Sequence, residues 1–211
     1  MYSLLLMAAG SGTRVGLDIN KLLVKINGKE VIRYTLEQFD DPKISEKIIV
    51  CSSQDLEYFK EMNLGCKLVV GGSSRSESVK NGLAEVHGEY VLIHDGARPN
   101  VSKRIISEHL RSLRDHDAVI TLCNCYDSVK NLRLDEVKRD ELYLTQTPLS
   151  FKTSLIKEAY QKENDLASFT DDYLLFKKYY GINNTHIVRG EFINFKLTTL
   201  EDLEVLKRIL D

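Results

Sequence analysis

Leu4-Leu5-Leu6-Met7-Ala8-Ala9-Gly10-Ser11-Gly12-Thr13-Arg14-Val15-Gly16 decides how this chain folds. An unbroken apolar run of strand length empties straight into a glycine-rich loop. A strand without polar alternation is covered on both faces, as in a parallel sheet held between helices. No basic segment precedes the run, and its apolar stretch ends at Gly10, so it reads as a buried first strand and not as a secretory leader. Working outward, similar runs recur at Lys47–Cys51, Cys66–Val70, Tyr90–His94, Ala118–Leu122, His186–Val188 and Ile193–Leu197. Helix-period segments lie between them at Glu30–Phe39, Gln54–Met62, Ser74–Val86, Lys103–Leu113, Phe151–Gln161, Asp171–Tyr180 and Leu200–Leu210. Ser74-Arg75-Ser76-Glu77 and Thr198-Thr199-Leu200-Glu201 both carry the capping-box pattern. This alternation predicts an α/β layer fold with a mostly parallel central sheet.

One stretch breaks the alternation. Cys125–Pro148 has few large apolar runs and carries Lys130, Arg133, Asp135, Glu136, Lys138, Arg139, Asp140 and Glu141. It is long for a connection between a strand and a helix. A projecting arm, a hairpin and a solvated loop all fit it.

The composition narrows the function classes. A chain of 211 residues fits one domain. With 43% hydrophobic and 28% charged residues, 12 Gly and 3 Pro, it is neither collagen-like nor largely disordered. Lys and Arg total 29 against 31 Asp and Glu, so no positive excess attracts nucleic acid or an anionic membrane. An anionic ligand must therefore be met by a local cluster of cations. No apolar stretch reaches the ~18 residues of a membrane span. Cys51, Cys66, Cys123 and Cys125 form no metal-ligand spacing and fit small buried side chains. A reducing, cytoplasmic setting follows as the expectation.

Three loops carry the chemistry. The first, Ala8 to Gly16, exposes backbone N–H groups that can cradle phosphates. Its glycine spacing fits neither the dinucleotide fingerprint nor the Walker loop. It adds Arg14 within the loop and Lys21 beyond it, two cations suited to a triphosphate and its pyrophosphate leaving group. A plain glycine turn with two solvated cations is the competing interpretation. The second, Gly71-Gly72-Ser73-Ser74-Arg75-Ser76-Glu77-Ser78-Val79, also follows a strand and places Arg75 and Ser78 on one helix face. It can read a base edge with main-chain and hydroxyl groups, or serve only as a helix cap. The third, His94-Asp95-Gly96-Ala97-Arg98-Pro99, puts a carboxylate at the carboxyl end of a buried strand, where open α/β sheets bind ligands. Asp95 there can hold a magnesium ion that bridges phosphates, or cap the turn with Arg98 as its partner. His94 reads as a packed residue, because nucleotidyl transfer asks little proton chemistry of the protein. Lys196, inside an apolar run, needs an anionic partner or an exit to solvent.

Together with Gln146-Thr147-Pro148, Thr170-Asp171, Asn194-Phe195-Lys196-Leu197-Thr198-Thr199 and Glu201-Asp202-Leu203, these motifs in this order resemble the 2-C-methyl-D-erythritol 4-phosphate cytidylyltransferase family over nearly the whole chain. The resemblance implies a Rossmann-like, three-layer nucleotidyltransferase fold over residues 1–211, with a projecting β-arm at about 125–147 that serves dimerisation. It implies transfer of a cytidylyl group from CTP to 2-C-methyl-D-erythritol 4-phosphate, with Mg2+, by in-line attack on the α-phosphorus and without a covalent enzyme intermediate. The product would be 4-diphosphocytidyl-2-C-methyl-D-erythritol in non-mevalonate isoprenoid synthesis.

By the same resemblance Arg14, Lys21, Lys196 and Arg139 are the catalytic cations. Ala8, Ala9, Gly10, Ser11, Gly12, Gly72, Ser73, Arg75 and Ser78 bind the nucleotide. Asp95 binds the metal, and Asp95, Arg98, Ser128, Arg139, Thr147, Thr170 and Lys196 surround the polyol phosphate. Ser128 and Arg139 would cross to the other subunit of a homodimer. Some residues depart from the family's pattern. Asn20 stands where Pro is usual before Lys21, Ser128 for Thr, Leu149 for Gln, Asp172 for Glu, and Leu200 for Pro. The ribitol-5-phosphate cytidylyltransferases share almost every motif and give the alternative acceptor. A non-catalytic nucleotide-binding regulatory module is the alternative of another class; such a module would be expected to lack Arg14, Lys21, Asp95 or Lys196, and all four are present.

Overall fold

The structure is a computed structural model that describes residues 1–10 and 20–210. Its strands are β1 (Tyr2–Ala8), β2 (Lys25–Ile26), β3 (Lys29–Glu30), β4 (Ile44–Cys51), β5 (Lys67–Val70), β6 (Tyr90–Asp95), β7 (Ala118–Asn124), β8 (Val129–Lys130), β9 (Glu136–Val137), β10 (Tyr143–Lys152) and β11 (Thr185–Arg189). Its α-helices are α1 (Val31–Gln38), α2 (Leu56–Glu61), α3 (Arg75–Ala84), α4 (Lys103–Ser112), α5 (Thr153–Lys162), α6 (Asp172–Tyr180) and α7 (Leu200–Ile209). Seven strands form one sheet in the order β11-β7-β10-β6-β1-β4-β5. Only β10 runs antiparallel to its neighbours, β6 and β7. The pairs β2–β3 and β8–β9 are separate two-stranded ribbons.

Side-chain alternation along the central strands builds two cores. Leu4, Leu6 and Ala8 of β1 and Ile49 and Cys51 of β4 face one side, with Val31, Ile32, Ile105, Ile106, Leu203 and Leu206 from α1, α4 and α7. Leu5 of β1 and Ile48 and Val50 of β4 face the other, with Val79 and Leu83 of α3, Ile156 of α5 and Leu175 and Phe176 of α6. Because both faces are covered, the strands read as continuous apolar runs in the sequence. On the second face α3 lies very close to the sheet. A Cβ at Gly82 would come within 2.6 Å of both Leu5 Cδ1 and Val50 Cγ2. Glycine there lets the last turn of α3 lie directly on Leu5 of β1 and Val50 of β4.

Several expectations are corrected. Ile193–Leu197 is not a strand but an irregular segment. Its backbone groups pair with loops instead of a ladder: Leu197 N–H donates to Ala97 O (2.8 Å), and Asn194 O accepts from Arg98 (2.8 Å). The expected helix start at Phe151 is the end of β10, a strand the apolar pattern did not show. Polar side chains conceal it. Gln146, Thr147 and Ser150 all point inward and are buried. Ser150 Oγ and Thr121 Oγ1 bond the buried His109 ring at 2.7 and 2.8 Å, and burial pushes that imidazole down to about 3. His109 is therefore a neutral bridge from α4 to β7 and β10.

Neither capping box forms as the sequence spacing suggests. Ser74 Oγ accepts from Glu77 N–H, but the Glu77 carboxylate accepts from the N–H and hydroxyl of Ser73 instead of completing the box. The box at α7 sits one residue later, between Thr199 and Asp202. The charged stretch is a hairpin at its centre, with β8 and β9 paired through Val129–Val137 and Lys130–Glu136. Its end from Tyr143 belongs to the main sheet.

Candidate active site

β1 is flanked by β4 and β6, while the chain runs from β1 outward to β4 and β5 before returning to β6. The sheet therefore changes direction beside β1. A crevice opens at such a switch point beyond the carboxyl ends of the strands. Here it is a cleft of about 470 Å³. Met7 to Gly10 leave β1 as one wall, and Gly72, Ser73 and Ser74 enter α3 as another. Lys21, Asp95, Ala97 and Lys196 line it as well.

Local interactions hold these walls. At Gly71 a Cβ would stand 2.6 Å from Ser78 Oγ and 2.9 Å from Ala9 Cβ, so glycine lets the second loop close against the first. The Ser78 hydroxyl accepts from Gly72 N–H (3.0 Å) and donates to Ser74 O (2.8 Å), tying the loop to the first turn of α3. Arg75 lines the cleft, but its guanidinium is a two-pronged partner of Asp172. Nη1 meets Oδ1 at 3.0 Å and Nη2 meets Oδ2 at 2.8 Å. The Asp172 charge raises the Arg75 pKa, and the Tyr160 hydroxyl donates to the same fully buried carboxylate at 2.6 Å.

The opposite side is organised around Asp95. Lys196 Nζ lies 3.0 Å and Arg98 Nε 3.4 Å from its Oδ2, and Thr147 Oγ1 accepts from its N–H at 3.0 Å. The anionic partner that Lys196 needs is thus Asp95. Burial acts to raise the Asp95 pKa, but the charges of Lys196, Arg75 and Arg98 outweigh it and hold the carboxyl below the usual carboxylate range. Asp95 is ionised at neutral pH and carries a compact set of cations into the cleft. His94 is fully buried beside Thr147 (3.0 Å), and burial takes its imidazole down to about 4, so it is neutral and packed. Lys21 also lines the cleft and is buried, and its Nζ donates to Leu197 O, the carbonyl of the residue after Lys196, at 2.6 Å.

Most of the nominated residues meet in this one place. Ala8, Ala9, Gly10, Lys21, Gly72, Ser73, Arg75, Ser78, Asp95 and Lys196 all line the cleft. Arg98 and Thr147 join it through Asp95. Ser11, Gly12 and Arg14 lie outside the described residues. Ser128, Arg139 and Thr170 are not part of the lining and are exposed. Ser128 precedes β8, and Arg139 lies in the turn after β9, its Nη1 donating to Tyr126 O at 2.9 Å. Thr170 lies just ahead of Asp171, the N-cap of α6.

Two polar residues were given no role by the sequence. Asn194 is fully buried and donates to Gln146 Oε1 (3.1 Å) and Thr147 O (3.0 Å), which anchors the segment that carries Lys196. Asp172 fixes Arg75 from another helix. An Asn inside the run that carries Lys196 is the signal for the first; the pairing of Asp172 with Arg75, 97 residues apart, has none.

Known proteins resemble this chain over its whole length. The family model described as 2-C-methyl-D-erythritol 4-phosphate cytidylyltransferase matches residues 2–211. The 2-C-methyl-D-erythritol 4-phosphate cytidylyltransferase of Clostridioides difficile is 36% identical, covering 100% of this chain and 94% of that protein. The protein of the same name from Clostridium tetani is 37% identical over 94% of this chain and 86% of its own. Among solved structures, the 4-diphosphocytidyl-2C-methyl-D-erythritol synthase of Anaerococcus prevotii superposes with a TM-score of 0.85 at 30% identity, covering 100% of this chain and 96% of that one. The chain belongs to the 2-C-methyl-D-erythritol 4-phosphate cytidylyltransferase family.

Proposed function

We propose that the protein transfers the cytidylyl group of CTP to 2-C-methyl-D-erythritol 4-phosphate, forming 4-diphosphocytidyl-2-C-methyl-D-erythritol and pyrophosphate in non-mevalonate isoprenoid synthesis. The observation that carries this reading is the cleft itself, which Lys21 and Lys196 both line together with Asp95, the carboxylate that Lys196 and Arg98 share. An acceptor phosphate oxygen attacks the α-phosphorus, the new P–O bond forms, and the bond to the bridging oxygen breaks with its electrons leaving on pyrophosphate. Such transfer depends on positioning and charge stabilisation more than on proton chemistry. The neutral His94 accords with that. Lys21, with Arg14, holds the triphosphate and the charge that develops on the leaving group. The Ala8, Ala9, Gly10, Ser11, Gly12, Gly72 and Ser73 backbone and the Ser78 hydroxyl receive the nucleotide, with Arg75 fixing the wall. Lys196, Arg98, Thr147 and Thr170 meet the polyol phosphate.

A divalent cation fits Asp95. Among the described residues no group of three acidic, His or Cys side chains converges as a self-sufficient metal cage. A single carboxylate suits magnesium, which takes its other ligands from phosphates and water. Asp95 would hold the ion by its carboxylate, whose Oδ2 also meets Lys196 and Arg98. When bound, the ion neutralises phosphate charge and aligns the triphosphate. Chelation should therefore stop pyrophosphate release and Mg2+ should restore it; release undiminished in a metal-free assay rules the cofactor out.

Residues 1–211 read as a single nucleotidyltransferase domain with a dimerisation arm at about 125–147. Tyr126, Leu132, Leu134, Tyr143 and Leu144 are large, apolar and exposed there, which supports a contact with a second copy. Ser128 and Arg139 then complete the partner's site. Mixing Arg139→Ala with Lys21→Ala should restore part of the activity, because one site in a mixed dimer is intact. No recovery despite demonstrated subunit exchange contradicts a shared site. The described helices include none long and apolar enough to cross a membrane, and the four thiols are free, which supports a reducing cytoplasmic setting. The net charge of −2 gives no support for a nucleic-acid partner. The family match does not favour ribitol 5-phosphate as acceptor.

A further inference from the structure

Lys21 opens a three-residue 3-10 turn, Lys21–Leu23, that comes directly after Asn20. So short a turn has little stability of its own. Asn20 supplies what holds it. Its carbonyl accepts from Leu23 N–H (2.9 Å) and its side-chain Oδ1 accepts from Leu22 N–H (3.0 Å). The other end of the same amide reaches away from the turn. Nδ2 donates to Ala8 O (3.2 Å), at the end of β1, and to Asp55 Oδ2 (2.8 Å), just before α2. Asp55 is itself fixed, because Oδ2 also accepts from Ser52 Oγ (2.7 Å) and Asp55 N–H donates back to that hydroxyl (3.1 Å). Both amide donors and the acceptor of Asn20 are thus used. The residue is 5% exposed, where such bonds are strong and costly to lose. It does not line the cleft, whereas Ala8, Lys21 and Leu22 do.

We propose that Asn20 is a positioning residue, which through the Ala8–Asn20–Asp55 tie sets the ammonium of Lys21 against the triphosphate. This rests on the catalytic reading of Lys21 given above. Asn20 touches no substrate and acts only through Lys21. A misplacement of about 1 Å at a catalytic group can cost on the order of 100-fold in rate.

The test is a double-mutant cycle on kcat with CTP, the acceptor and Mg2+, using Asn20→Ala, Lys21→Ala and the pair. Asn20→Ala should lower kcat by about 10- to 100-fold, with KM for CTP changed far less. In the Lys21→Ala background the same substitution should cost almost nothing. An equal loss in both backgrounds means that Asn20 acts on the fold at large and overturns the proposal, as does wild-type kcat in Asn20→Ala. Should Asn20→Ala not fold, Asp55→Ala takes its place in the cycle with a smaller loss expected and the same criterion. If Lys21→Ala alone keeps full activity, it is the catalytic role of Lys21 that fails, and the proposal fails with it.

Discussion

Lys21→Ala should lower kcat by about 100- to 1,000-fold while the protein stays folded. The two effects differ in size for a physical reason. A preorganised cation facing charge that develops on the departing pyrophosphate is worth roughly 3–4 kcal/mol in the transition state. The folded state loses the bond from Lys21 Nζ to Leu197 O, and such a bond is worth about 1 kcal/mol net. For a chain of this size that shifts Tm by only about 2–4 °C. If the interaction belongs to the transition state, kcat and kcat/KM fall together. Steady-state kinetics beside thermal unfolding checks both, and full turnover in a folded Lys21→Ala variant removes the assigned role.

Arg75→Met should be the most destabilising of the single changes considered. It leaves the Asp172 carboxylate fully buried, with the Tyr160 hydroxyl still donating to it and its two guanidinium bonds gone. Removing one partner of a buried ion pair costs about 3–5 kcal/mol, because the other charge stays out of water. Denaturant unfolding should show that loss. Arg75→Met combined with Asp172→Leu should recover most of it, since an apolar pair of similar bulk avoids the desolvation cost. A loss below about 1 kcal/mol in Arg75→Met, against the 3–5 expected of a buried pair, would mean that the pair does not anchor α6 to the start of α3.

The layered sheet was legible in the sequence because β1, β4 and β6 are buried on both faces. Runs such as Val91-Leu92-Ile93 carry that fact without needing their neighbours. β10 was not legible, because its inward side chains include Gln146, Thr147 and Ser150, whose hydrogen-bond partners come from α4, β6 and the segment after β11. Ile193–Leu197 misled in the opposite sense. Ile193, Phe195 and Leu197 alternate with polar residues in the sequence, yet Ile193 is exposed while Asn194 and Leu197 are buried, and the backbone pairs with loops. In the cleft, Ala9, Gly10, Gly72, Ser73 and Asp95 line the site to which the glycine and charge patterns pointed, while Ser11 to Ile19 lie outside the described residues. The bond of Lys196 to Asp95 was foreseen as a need and not as a partner. The hold of Asp172 on Arg75 spans 97 residues of chain, and no local pattern encodes it. Asn20 drew notice only as a departure from the family's usual residue, and its reach to Asp55 appears only in the folded chain.

The measurement that bears most directly on the account is pyrophosphate release with CTP and Mg2+, run in parallel with 2-C-methyl-D-erythritol 4-phosphate and with ribitol 5-phosphate. Release with the first acceptor alone is the predicted result. Release with ribitol 5-phosphate alone, or with neither acceptor in folded protein that binds CTP, contradicts it.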